Sequence, residues 1–274
     1  MTETLPEEDY FVSGHTSCTG CGVATALRAI GKTAGENTLL VHATDEWHAH
    51  ANTYPKTAWR LAWVYATTRD APSVVSGIDL ALKLRYDARE KPNVLVIASE
   101  RETRSHALAS LADAMNRDHD FCYVCILHTP ITRTTTKNSL ALTLATQGCR
   151  YVATTSIANL ADVYAKVQAG MKTKGPSFVL IYAPCPYEHK SESDNTIRIA
   201  RAAVETGLFP VYEIVQGSLK RTERFETLRP INEYMSLQAR LPVHDQTHLT
   251  QLQAHAAWIQ DYIRTLEEKG KLFV

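Results

Sequence analysis

Asn93-Val94-Leu95-Val96-Ile97-Ala98 is a short, unbroken apolar run, the pattern of a strand buried on both faces of a sheet. Two more runs of this kind follow, Phe121-Cys-Tyr-Val-Cys-Ile-Leu127 and Ser177-Phe-Val-Leu-Ile-Tyr182. Between the first two, Ser105 to Arg117 predicts a helix with Ser105 as N-cap and Leu108, Leu111, Ala112 and Met115 on one side. The alternation extends both ways. Helices are expected at Cys21 to Lys32, Pro72 to Tyr86, Ala141 to Thr146 and Asn159 to Met171, and strands at Asn37 to Ala43 and Arg150 to Ala153. Strands and helices alternating at this length imply an α/β fold, a mainly parallel sheet with helices on both faces.

The chain has 274 residues, enough for one large core, with 45% apolar and 21% charged residues. Lys+Arg and Asp+Glu both total 29, so no net charge draws the chain to nucleic acid or to an anionic membrane. The acidic start MTETLPEEDYFVSG has no apolar export core, and no uncharged apolar run approaches the roughly 18 residues of a spanning helix. A cytoplasmic location with reduced thiols is therefore expected. Residues 1–187 form the α/β domain. From Glu188 to Gln246 no periodicity is sustained, so residues 188–274 are expected to form an extended C-terminal arm that ends in a helix at Thr247 to Lys269 and packs on this domain or on a partner.

In a parallel sheet, ligands bind at the carboxyl ends of the strands, here Thr44 to His50, Ser99 to Thr103, His128 to Asn138 and Ala183 to His189. Just upstream, Gly-His-Thr-Ser-Cys18-Thr-Gly-Cys21-Gly leads into the first helix. Two thiolates at this spacing reach one metal or cluster, and a helix N-terminus favours their charge, a pattern shared by zinc sites, redox disulfides and iron–sulfur sites. Cys185 follows a buried strand and is placed to be a third ligand. Asp45, Glu46, His48 and His50 crowd another strand end, either as ligands or as a polar rim. Cys122 and Cys125 lie three apart in a strand and face opposite sides, so they read as core residues. Cys149 reads likewise.

The order of these motifs resembles the β subunit of pyruvate:ferredoxin oxidoreductase and related 2-oxoacid oxidoreductases. The resemblance rests on G-H-x-x-C-x-G-C-G, Tyr54-Pro-x-Thr-Ala-Trp59, the strand ending at Cys125, Gly175-Pro-Ser177, Ala183-Pro-Cys185 and Pro210-Val-Tyr-Glu213, and it spans roughly Gly14 to Glu213. It implies a thiamine-diphosphate-binding-like fold carrying a [4Fe-4S] cluster or variant. Cys18, Cys21 and Cys185 fall on three of the family's ligand cysteines and Glu46 on the fourth, which implies that Glu46 (or Asp45 or His48) supplies the ligand, that the cluster has three protein ligands, or that none binds. A carboxylate there implies a higher potential and a more exchangeable iron.

The thiamine motifs depart further. Ser99-Glu100-Arg101-Glu102 stands where the family has Gly-Asp-Gly, so Glu100 keeps a carboxylate while Arg101 replaces a glycine. His128 takes the position of a metal-binding amide, in a loop that also holds Arg133 and Lys137. Imidazole is a poor exchange at Mg²⁺, which implies a degenerate thiamine-diphosphate site. The alternative is that Arg101, Arg133 and Lys137 neutralise a diphosphate directly. The resemblance thus implies a β-type oxidoreductase subunit acting with α-type and ferredoxin-like subunits and a ferredoxin-type acceptor. Two other readings are an inactive paralogue with a structural or electron-relay role, and a zinc-stabilised binding module.

Overall fold

The computed structural model describes residues 6–87, 89–117, 119–131, 139–239 and 246–272. Its centre is an eight-stranded sheet: β1 (Thr38–Ala43), β2 (Ala62–Tyr65), β3 (Asn93–Ser99), β4 (Cys122–Leu127), β5 (Tyr151–Ser156), β6 (Ser177–Tyr182), β7 (Tyr212–Val215) and β8 (Ser218–Arg221). The order is β2-β1-β3-β4-β6-β5-β7-β8. The first six strands in that order pair in parallel, and β7 and β8 extend the sheet antiparallel from β5. The three apolar runs became β3, β4 and β6, whose central residues are fully buried.

The helices are α1 (Gly22–Ala34), α2 (Asp45–Ala51), α3 (Ala71–Arg85), α4 (Glu100–Glu102), α5 (Leu108–Asn116), α6 (Leu140–Ala145), α7 (Leu160–Lys172), α8 (Pro186–His189), α9 (Thr196–Glu205), α10 (Asn232–Met235) and α11 (Gln246–Glu268). A π-helical turn at Thr103–Ala107 joins α4 to α5. The two cysteines of β4 identify the layers. A Cβ on Gly170 of α7 would meet Cys122 Sγ at 2.9 Å, whereas Cys125 Sγ lies 3.7 Å from Thr103 Oγ1. Residues three apart in a strand face opposite sides, so α7 covers one face and the α4–α5 segment the other. Both cysteines are core residues, as read from the sequence, and so is Cys149.

Four expectations change. Ser105 is no N-cap: helix begins at Glu100, directly at the end of β3, and Ser105 Oγ instead donates to the Arg101 carbonyl 2.9 Å away. Thr44 to His50 is largely helix α2 rather than loop, because Thr44 caps it by accepting from the Glu46 N–H. The edge strand β2 went unrecognised although Leu61 to Ala66 is apolar throughout; most of the strand's residues are exposed. The span Glu188 to Gln246 contains α9, β7, β8 and α10, and two strands there join the main sheet. Strands of four residues are too short to display a period. Among the described residues no helix is long and apolar enough to cross a membrane.

The connection leaving β1 runs to β2 on one side, while β3 leads to β4 on the other. The carboxyl ends of β1 and β3 therefore flank a topological switch point, where open α/β sheets form a crevice. Glu46 lies just beyond β1 and Arg101 just beyond β3.

Candidate functional site

The Cys18–Cys21 segment closes on itself, with the Cys21 N–H donating to the Cys18 carbonyl at 3.1 Å and Gly20 in the left-handed region at φ 70°. Cys21 is the N-cap residue of α1, where the backbone amides of Ala24 and Val23 favour its thiolate although no cap hydrogen bond to the sulfur forms. Burial pushes the Cys21 thiol up, and these amides act against it. Cys185 repeats the arrangement at the start of α8. Burial raises its thiol and the backbone amides of Glu188 and Tyr187 pull it down, again without a cap hydrogen bond to the sulfur. Backbone donors placed around two sulfurs favour negative charge on both.

Cys18, Cys21 and Cys185 line one cavity of about 450 Å³ together with Glu46 and His128. Phe11, Val23 and Leu27 form part of its apolar wall. The three thiols are near enough that each thiolate would raise the pKa of another. Among the described residues no group of three or more His, Cys, Asp or Glu side chains stands close enough together to hold a metal ion. Glu46 reaches the same space from α2. Its Oε2 is buried and has no well-directed hydrogen bond, with His128 Nε2 the neighbouring base at 3.3 Å. Burial raises the Glu46 pKa against the pull of Arg101. His128 is pushed down to about 4, first by burial and then by Arg101, so its imidazole is neutral near pH 7.

Arg101 reaches two of the lining carboxylates, 3.5 Å from Glu46 Oε1 and 3.6 Å from Glu188 Oε1. Glu100 points elsewhere. Arg104 holds its Oε1 through Nε and Nη2 at 2.7 and 2.6 Å, and both residues line a separate cavity of about 300 Å³. The structure thus gathers Cys18, Cys21, Glu46, His128 and Cys185, sets Arg101 beside them and separates Glu100. Arg133 and Lys137 lie outside the described residues. His48 is not in this cavity: its ring packs on Tyr65 with centroids 4.3 Å apart, since two helical positions from Glu46 is the opposite face. His50, four positions on, does line the cavity. Glu188 was missed as a site residue, although it lies within the strand-end segment singled out from the sequence.

Three thiols, two of them at helix starts, and the Glu46 carboxylate beside His128 line one space and are donors of the kind an iron–sulfur cluster takes. Glu100 Oε1 is engaged by Arg104, and the His128 imidazole, which carries no oxygen, faces Glu46.

No protein-family model matches the chain. It is 32% identical over 286 residues to pyruvate synthase subunit PorB of Methanothermobacter thermautotrophicus, covering 94% of this chain and 96% of that one. It is 29% identical over 302 residues to ketoisovalerate oxidoreductase subunit VorB of Pyrococcus furiosus, covering 98% and 96%. Among solved structures, 2-oxoglutarate:ferredoxin oxidoreductase from Magnetococcus marinus aligns with a TM-score of 0.49 at 16% identity, over 73% of this chain and 81% of that one.

Proposed function

The chain belongs to the family of PorB and VorB subunits of 2-oxoacid:ferredoxin oxidoreductases, and from that premise we propose that it is a β-type subunit whose retained chemistry is electron transfer. Cys18, Cys21 and Cys185 are read as thiolate ligands of an iron–sulfur cluster, with Glu46 as the fourth. The single observation that carries this reading is the convergence of those four side chains on one cavity. When bound, the cluster would accept and pass on one electron at a time. The chain's own part is to hold it: amides at Cys21 and Cys185 favour thiolate charge, and apolar walls limit water.

The thiamine half of the site is read as degenerate. Arg101 occupies a family glycine position and reaches between Glu46 and Glu188, while Glu100 is paired with Arg104 and neutral His128 carries no oxygen for Mg²⁺. On this reading the chain relays electrons beside α-type and ferredoxin-like subunits towards a ferredoxin-type acceptor. The C-terminal residues 188–274 are read as part of the same domain, because β7 and β8 complete its sheet.

Iron, acid-labile sulfide and zinc are to be measured on the anaerobically purified complex. Iron and sulfide in comparable amounts are expected. Zinc without iron would replace this reading with a zinc-stabilised module, which is colourless and redox-silent.

A further inference from the structure

Behind the cysteine cavity lies a line of buried polar groups that leads to Cys185. Tyr182 ends β6, His189 ends α8 and Tyr234 belongs to α10, and all three are fully buried. Tyr182 Oη stands 3.0 Å from His189 Nε2 and 2.9 Å from Tyr234 Oη. His189 Nδ1 lies 2.9 Å from the Cys185 carbonyl oxygen, and the Ile131 N–H donates to Tyr234 Oη at 3.0 Å.

The two ends set the direction of the whole line. A carbonyl can only accept, so His189 carries a proton on Nδ1. An amide N–H can only donate, so Tyr234 Oη accepts from Ile131. With a neutral imidazole, Tyr234 donates to Tyr182, Tyr182 donates to His189 Nε2, and His189 donates to Cys185. The opposite orientation would need a buried imidazolium. It would also turn the Tyr182 hydrogen onto an oxygen that already accepts from Ile131. Burial raises both phenols, Tyr182 well above the ordinary tyrosine range, so each retains the hydrogen it donates.

Every hydrogen in the line therefore points towards Cys185, and aligned hydrogen bonds polarise one another. The Cys185 peptide is gripped on its other side as well, since its N–H donates to the His128 carbonyl at 3.0 Å. The loops following β4 and β6 are thus joined twice, once by backbone and once through Tyr234, Tyr182 and His189.

We propose that Tyr182, Tyr234 and His189 are positioning residues that fix the Cys185 loop to the loop after β4 and raise the reduction potential of the group Cys185 holds. The assignment rests on the iron–sulfur reading. Aligned dipoles with their positive ends towards Cys185 favour an added electron there, so interrupting them makes reduction harder.

The test is an EPR-monitored redox titration of the anaerobically purified complex, with iron counted per chain, for wild type, Tyr182→Phe and Tyr234→Phe. Both variants are expected to retain wild-type iron and to shift the midpoint to more negative potential, Tyr182→Phe by more because it cuts the line nearer to Cys185. If Tyr182→Phe does not fold, Tyr234→Phe carries the test alone. Wild-type iron with an unchanged midpoint and EPR line overturns the positioning role and leaves the cluster reading intact. Loss of iron without a shift in the remaining signal marks a merely structural role and also overturns it. Wild-type protein without iron overturns both readings.

Discussion

Gly22 lies so close to Pro184 that a Cβ added to it would stand 2.3 Å from the Pro184 carbonyl oxygen. This contact joins the two halves of the thiol site, because Gly22 follows Cys21 and Pro184 precedes Cys185. A side chain at position 22 would push α1 away from the β6 loop. Gly22→Ala is expected to cost about 1–3 kcal/mol through overpacking. It is also expected to lower the iron retained per chain, measured by denaturant unfolding and by metal analysis. A variant with wild-type stability and iron content would show that the contact yields without consequence.

Glu46→Cys supplies a fourth thiolate where the buried carboxylate oxygen now faces His128 Nε2 at 3.3 Å. Sulfur donates more charge to iron than oxygen does, so the cluster midpoint is expected to fall and iron loss to chelator to slow. Redox titration and chelator kinetics check both directions. A midpoint that does not move would remove Glu46 from the ligand set.

Titration calorimetry with thiamine diphosphate and Mg²⁺ tests the degenerate half of the site. No magnesium-dependent binding is expected, because Arg104 holds Glu100 and His128 offers no oxygen. Stoichiometric binding that requires Mg²⁺ would contradict this.

Stability should depend on acid through Asp79. The residue is fully buried, and although burial alone would raise its pKa, Lys83 and Lys91 at 2.7 and 2.6 Å hold it below the ordinary range. A folded pKa below the unfolded one, near 4, gives stability that is present above pH ~4 and lost as pH falls through the folded value. Thermal unfolding of the wild type should therefore decline between about pH 5 and 3. Asp79→Ala should cost roughly 3 kcal/mol at pH 7 by stranding Lys91, which is largely buried. A wild-type profile that is flat over that range would contradict the account.

The core of the fold was legible because β3, β4 and β6 are buried on both faces and write continuous apolar runs. The edges were not. In β7 and β8 exposed residues alternate with buried ones over only four positions, which fits a loop as well as a strand. The start of α4 was hidden because the helix follows β3 directly, its N-cap Ser99 being also the last residue of the apolar strand and making no side-chain cap bond, which left Ser105 as a false boundary. The thiols were readable from spacing and context, but the choice between Glu46 and His48 was not. That choice follows from Thr44 capping α2, which puts the two residues on opposite faces. The side chain of Arg101 reaching Glu46 and Glu188, and that of Glu100 captured by Arg104, are tertiary facts that no local pattern announces.

The central claim is that Cys185 and the Cys18–Cys21 pair hold one iron–sulfur cluster. Low-temperature EPR of the dithionite-reduced complex, comparing wild type with Cys185→Ser, tests it most directly. A cluster signal in the wild type that is lost or reshaped in the variant, with part of the iron released, is the predicted result. A signal identical in both proteins, or none in the wild type, would contradict it.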